Sequence, residues 1–457
     1  MHPKREIRPR LVAVLALAAG LSTLAGSLPS AAQQQPSQPP KPEDLLGNIV
    51  VVAEGNARPL PKVAVYPSLS ADIEDVTLRS VVRRDLDLCG EFEVLPEDQR
   101  PDGLYLSDTP VDAKAWAAKG VEALVRVSGK KSSEAGRIEL RGQAYFVKKG
   151  ADPVIDKRFS VATADVRVES HRIADMLIGA LTGQNGSFAS HMTFSSGSGK
   201  LRRVFTIDAD GNNAEAVTSP DRTAIASTFG KNDELFYTAS IDRDEYKIFG
   251  LKSGGPLPGP VKGSVYGIAF SKDRSQVALS IGVGATIKMF AGPDFASAKL
   301  ASDVGLAMEP TFSPSGKLAY SGEGKWSQRI FVDNKPVSPD GLQASSPTFC
   351  NNPEGTRLVF AVGVGKNTDI VATAEGGGQL VRLTQSQGSN SYPACSPDGR
   401  LVAFFSTRKS GEGPGLYVMR LDGMRPKRVS TLLGDSLHWD PRAPGTAREI
   451  TTPAPPK

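Results

Sequence analysis

The spacing of apolar positions changes character near residue 185. Before that point helical and strand patterns alternate. "KVAVYP" (62–67) and "FEVL" (92–95) are short apolar strand runs. Between them, "DIEDVTLRSVVRRDLDLCG" carries Ile73, Val76, Leu78, Val81, Val82 and Leu86 at helical spacing and stops at Gly90. "DAKAWAAKG" predicts a short helix closed by Gly120. "VEALVRVSGK", "RIELRGQAYFVKK" and "PVIDKRFSVAT" predict three strands, and "ADVRVESHRIADMLIGALTG" a second long helix ending at Gly183. With the run "IVVVAEGN" (49–56) in front, residues 49–184 read as a small mixed α/β domain able to stand as an independent unit.

From 185 the helical period disappears. Short Val/Ile/Phe/Tyr runs are broken by Gly, Asp-Gly and Ser-Gly, as in antiparallel hairpins. Anchor words fall into a ladder at Phe229, Phe270, Phe312, Phe349, Cys395 and Trp439, with spacings of 41, 42, 37, 46 and 44. A period near 40–45 made of four strand-sized pieces is a propeller blade. Within a unit, "SPDG" or "SPSG" supplies a tight turn, and "RLVAFFS" or "KLAYS" the buried strand that follows.

The last anchor lies in "LHWDPRAPG", with 16 residues left after Pro441. That is too few to finish a unit. At the other end, "SHMTFSSG" and "LRRVFTIDADGN" (190–212) look like later strands of a blade that has no opening strand. The predicted fold is therefore two-domain: a small α/β domain, then an all-β six-bladed propeller over 185–445. Pairing of the N- and C-terminal strands of the propeller region closes the ring and removes free sheet edges. Residues 446–457 are expected to be a disordered tail.

Composition adds an address and removes some function classes. "MHPKREIRPR" is basic, an apolar run follows, and "SAA" (30–32) offers small residues for cleavage, so 1–32 reads as a secretory signal peptide. Residues 33–48 are Gln/Pro-rich and read as a flexible linker. Export would remove four cations and Glu6 and take the formal charge from +5 to +2, too weak to argue for nucleic acid or a membrane surface. A monomeric exported protein without direct membrane insertion is expected. The three cysteines, Cys89, Cys350 and Cys395, are an odd number, which argues against a disulfide framework. The ladder puts Cys350 and Cys395 one register apart, so their side chains should point to opposite faces. Buried free thiols are the expectation.

Catalytic chemistry is poorly supplied. No G-x-S-x-G elbow occurs, and the histidines are His2, His171, His191 and His438, with no H-x-x-x-H or C-x-x-C spacing. His171 reads as a hydrogen-bonded helix residue. "DADGNN" (208–213) lacks the full calcium-loop spacing and reads as a hairpin turn. That leaves binding. The residues just before each anchor sit at the mouth of the channel: Val265, Tyr266 and Gly267; Met308 and Glu309; Ser345 and Ser346; Ser391 and Tyr392; Ser436 and Leu437. Their mix of aromatic, apolar and small polar types suits a protein or peptide contact.

At this point the chain resembles the TolB family of the Tol–Pal cell-envelope system. The resemblance rests on "RRDLDLCGEFEVL" (83–95), "AWAAKGVEALVRVSG" (115–129), "HRIADMLIGALTGQNGSF" (171–188) and the "FSPSGK" and "CSPDGR" repeats. It implies a periplasmic, non-catalytic adaptor that supports outer-membrane integrity and cell division. It implies Pal, an outer-membrane lipoprotein, at the channel mouth, where Ser264, Gly267 and Met308 match family contact positions. It also implies TolA, an inner-membrane partner, at the N-terminal segment Ile49, Val50, Val51 and Val52, by strand addition. No metal or other cofactor is expected, with a Ca²⁺ in the channel left open. The Gln/Pro linker and the incomplete turns after Phe229 and Phe270 depart from the family pattern. The alternative is an exported propeller enzyme of lyase or lactonase type, with a metal in the channel.

Overall fold

The computed structural model describes residues 50–51, 59–67, 70, 72–106, 109–241, 245–385, 387–445 and 447–450. The expected signal peptide and linker, Ile49, Val52 and most of the expected tail lie outside the described residues. The α/β domain is built on one sheet, in the order Glu93–Val94, Lys62–Val65, Ala123–Lys131, Arg137–Phe146, Ile155–Ala162 and Arg448–Glu449. Its first three strands are parallel and the rest antiparallel. Helices α1 (Ile73–Leu88) and α3 (Val166–Thr182) cover one face, and α2 (Ala113–Ala118) belongs to the other. The sheet alternates accordingly. Val63, Val65, Val125 and Val127 pack with Leu78, Val82, Leu86, Ile173 and Leu177, while Ala64 and Leu124 pack with Tyr66, Tyr105 and Trp116. α3 ends where Gly183 takes φ 86°, a left-handed cap that other residues adopt only at a cost.

Six blades follow. The first is Thr223–Phe229, Leu235–Ser240 and Lys247–Gly250, with a single bridge from Ile248 to Leu257 standing in for a fourth strand. The second spans Val265–Ser302, the third Met308–Pro336, the fourth Ala344–Arg382 and the fifth Asn390–Ser430. The sixth joins the two ends of the region, with Asp435–Pro441 as its innermost strand beside Ser190–Ser196, Arg203–Asp208 and Glu215–Ala216. The closing pair is antiparallel, with His438 opposite Thr193 and Trp439 opposite Met192. Trp439 is buried and its indole Nε1 donates to Ser190 Oγ at 2.7 Å. The unfinished last unit of the sequence is thus the missing first strand of the opening unit.

Four expectations need correction. Val50–Val51 does not belong to the α/β sheet; it pairs in parallel with Val381–Arg382 on the outer edge of the fourth blade. Arg448–Glu449 is a strand on the α/β sheet, paired with Ser160 and Phe159, rather than part of a disordered tail. The α/β domain is not a self-contained unit either. One apolar cluster runs from Leu78 and Val125 through Ile178 and Phe188 into Phe194, Ile207, Phe405 and Trp439 of the propeller. Asp175 on α3 fastens that passage, accepting from Phe188 N at 2.7 Å and Ala189 N at 2.8 Å.

The fourth correction concerns the cysteines. Cys350 and Cys395 form a disulfide, with Cα atoms 5.3 Å apart, and Cys89 is a buried free thiol. Neighbouring blades stack face to face. A residue on the forward face of one sheet therefore meets a residue on the rear face of the next. Opposite facing within separate sheets, taken as an obstacle to the bridge, is what such stacking requires. The bridge sits in the apolar layer between blades four and five, among Val359, Ile370, Val402 and Phe404.

Two outcomes test these contacts. Trp439→Ala should cost about 3–5 kcal/mol in denaturant unfolding, because it removes a buried aromatic from the closing strand. A variant with both Cys350→Ala and Cys395→Ala should lose roughly 2–4 kcal/mol, and the intact wild-type mass should show one disulfide before reduction.

Candidate functional site

The innermost strand of every blade is irregular at the same place. The ladder slips between Ile225 and Thr228, Val265 and Gly267, Met308 and Thr311, Ser345 and Thr348, Ser391 and Ala394, and Asp435 and His438. Each slip is a bulge, which bends the strand and re-aims a side chain. Three residues before each anchor stand Ala226, Gly267, Glu309, Ser346, Tyr392 and Ser436, and all but Gly267 have φ between 50° and 54°. A left-handed conformation in a residue other than glycine costs about 1 kcal/mol or more. Its recurrence around the ring marks a shape held by the whole propeller. Pro310, Pro347 and Pro393 follow three of these residues. They are tolerated because this strand borders the channel and owes no ladder donor on that side.

The bulged residues converge. Ala226, Tyr266, Glu309, Ser346, Tyr392 and Ser436 line a cavity of about 50 Å³ at the mouth. A second cavity of about 190 Å³ lies deeper, among the anchors Phe270, Phe312, Phe349, Cys395 and Trp439. Pro347, Pro393, Leu437 and His438 wall both. The α/β domain meets the opposite end of the propeller, where Arg400 donates to Asn185 O at 2.9 Å and Arg420 pairs with Glu91 at 3.2 Å.

Charge at the mouth is largely tied down. Glu309 accepts from Ser321 Oγ at 2.9 Å, from Ser346 N at 2.6 Å and from Ser346 Oγ at 2.9 Å, so its carboxylate fastens blade three to blade four. Asp435 pairs with Arg202. Burial pushes the Tyr392 phenol up to about 12, and the nearby carboxylates of Asp435 and Glu309 act in the same direction. Burial, helped by Arg274, pushes His438 down to about 4, leaving a neutral imidazole at physiological pH. Among the described residues, the one place where three His, Cys, Asp or Glu side chains come together is Asp85, His171 and Asp210, away from the channel. There Arg167 and Asn212 already occupy the Asp210 carboxylate, which makes it an ion-pair network rather than a cation site.

The rim is apolar. Leu201, Ile241, Val261, Leu306, Trp326 and Leu433 are each 40–75% exposed. All six lie in loops that join second to third strands, or one blade to the next, and such loops open on the mouth side. Among the described propeller residues only Leu251 and Leu300 are comparably exposed large apolar side chains elsewhere. A ring of this kind around a concave centre is an interaction surface in composition and shape.

Of the residues read from the sequence, Tyr266, Gly267, Glu309, Ser346, Tyr392, Ser436 and Leu437 line the mouth cavity. Met308, Ser345 and Ser391 are half-buried one position earlier. Ser264 is structural, its hydroxyl accepting from Tyr246 N at 3.2 Å, and Val265 is a core residue of the second blade. Ala226 was missed, although it keeps the same offset from Phe229 as the others keep from their anchors. The apolar rim was missed as well, because its members share no motif. Val50–Val51 lies on a blade edge, apart from the mouth.

Residues 48–152 match the family model described as the TolB amino-terminal domain. A protein named Tol-Pal system protein TolB from Dinoroseobacter shibae is 28% identical over 234 residues, 49% of this chain and 50% of its own length. Its namesake from Albidiferax ferrireducens is 26% identical over 187 residues, 39% of this chain and 41% of its own length. The chain thus spans half or less of these curated relatives. The crystal structure of TolB from Acinetobacter baumannii superimposes with a TM-score of 0.65 at 18% identity, covering 84% of this chain and 97% of that one. In sequence over its α/β domain, and in fold over both domains, the chain resembles the TolB proteins of the Tol–Pal system.

Proposed function

We propose that the protein is a non-catalytic periplasmic adaptor of the Tol–Pal system that holds the lipoprotein Pal at the channel mouth. The observation that carries this reading is the apolar rim around a concave, bulge-shaped centre with its charges already paired. Such a surface gains by excluding water over the rim and by seating a few anchors in the middle. The TolB resemblance supplies the partner. The absence of a converging ligand trio in the channel, among the described residues, favours binding over metal-assisted chemistry there.

The same reading gives Ile49–Val52 to TolA. Val50–Val51 is already a strand on the fourth blade, so strand addition to a partner requires that short pairing to break. Two residues of parallel ladder are a weak hold, which suits exchange. By linking an outer-membrane lipoprotein to an inner-membrane protein, the adaptor would support outer-membrane integrity during division.

Tyr266→Ala, Trp326→Ala and Met308→Arg should each weaken Pal binding about tenfold or more by calorimetry, with melting temperatures close to wild type. Deleting 49–52 should abolish TolA capture and leave Pal affinity unchanged. Pal binding that survives all three mouth substitutions within about twofold would place the contact elsewhere.

A further inference from the structure

The ion-pair network beneath the propeller joins three elements from two domains. From α1 come Arg84 and Asp85; from α3, Arg167, His171 and Asp175; from the sixth blade and the chain beyond it, Asp208, Asp210 and Arg442. His171 Nδ1 lies 2.7 Å from Asp85 Oδ2. Arg167 Nε donates to Asp208 at 3.0 Å and its Nη2 to Asp210 at 2.6 Å. Arg84 donates to Asp210 O at 2.9 Å and 2.7 Å, and Arg442 pairs with Asp208. Asp85 and His171 are buried, and Asp85 Oδ1 and His171 Nε2 have no hydrogen-bond partner.

Counting charges shows what the site lacks. Three guanidiniums, Arg84, Arg167 and Arg442, stay charged at any physiological pH and serve Asp208 and Asp210, whereas the Asp85 carboxylate has one side-chain partner among the described residues, the His171 imidazole. A buried Asp85 carboxylate therefore needs a positive charge of its own. Cys89, a neighbouring thiol that burial pushes up to about 12, stays neutral and cannot provide it. The His171 imidazole is the side chain that can. Losing its proton leaves one buried negative charge uncompensated at the seam between the domains, a costly state.

We propose that Asp85, His171 and Asp210 form a proton-operated latch between the α/β domain and the propeller, closed when His171 is protonated and loosened when it is not. The titration behaviour agrees in direction. Burial opposes charge on His171, but the Asp85 carboxylate outweighs it and the imidazole shifts upward. Burial raises Asp85 to about 6 and Asp175 to about 7. A group whose native pKa lies above its unfolded value stabilises the fold fully below the unfolded value. That contribution is lost as pH climbs through the native one. The contributions of Asp85 and Asp175 are thus gone by about pH 6 and about pH 7, and above neutrality the seam weakens through His171 alone.

Hydrogen exchange on the full chain between about pH 5.5 and 8.5 tests the latch. After correction for intrinsic rates, peptides covering 166–182, 186–189 and 208–213 should open about tenfold more for each pH unit above the ordinary histidine range, levelling off once pH passes the native His171 pKa. Peptides of the strand Leu401–Ser406 should not change. His171→Gln should abolish the dependence above about pH 7 and keep the seam at its high-pH looseness there. The double variant Asp85→Asn with His171→Gln removes one charge of each sign, and above about pH 7 should be both tight and pH-independent. A direct NMR titration of the wild-type imidazole needs no variant: protonation persisting above the ordinary histidine range supports the latch. A neutral His171 down to about pH 5, pH-independent exchange at the seam, or a stoichiometric divalent metal in the purified protein would each overturn it.

Discussion

The structure depends on one antiparallel pairing, that of Asp435–Pro441 with Ser190–Ser196. Five of the six blades are continuous in sequence. The sixth exists only if the two ends of the region meet. Without that meeting, the facing edges of Ser190–Ser196 and Asp435–Pro441 would both lie open to other chains. Closure also sets the channel, because a bore has a fixed diameter only when the ring has a fixed number of blades. The same strand carries Ser436, Leu437 and His438, so the act of closing the ring completes the wall of the mouth.

The ring in turn makes the local irregularities affordable. Five left-handed residues at equivalent positions would be costly in an isolated hairpin. In the propeller they are held by stacked neighbours on both sides, by Glu309 reaching across to Ser346, and by prolines that need no donor. The bulges are where the architecture gives up regular pairing in exchange for a shaped centre. The disulfide and the shared apolar core act at the other end of the scale, binding blade to blade and domain to domain. The face left free by these arrangements is the mouth, and that is where most of the propeller's exposed large apolar side chains lie among the described residues.

Much of this was legible from residue order. Two long helices closed by Gly90 and Gly183, a hairpin-rich remainder and a repeat near 40–45 residues were enough to count blades and to infer that the first and last were one. The offset from each anchor also led to most of the mouth cavity. Periodicity encodes burial, and burial is what a propeller repeats. The reading failed wherever it treated a contact as local. Val50–Val51 looked like the first strand of its own domain, but its partner edge is more than three hundred residues away in the chain. The cysteines looked misaligned because register was judged within one sheet, while the bridge runs between two.

By itself the sequence determined the secondary elements, the number of blades and the need for closure, because these follow from the spacing of apolar side chains along one dimension. Tertiary structure alone decided which edges meet, which faces stack and which charges share a buried seam. Those are distances between residues remote in sequence, and nothing in local order specifies them. His171 illustrates both sides: its place on a helix was readable at once, whereas Asp85, Asp210 and Arg167 were gathered around it only by folding.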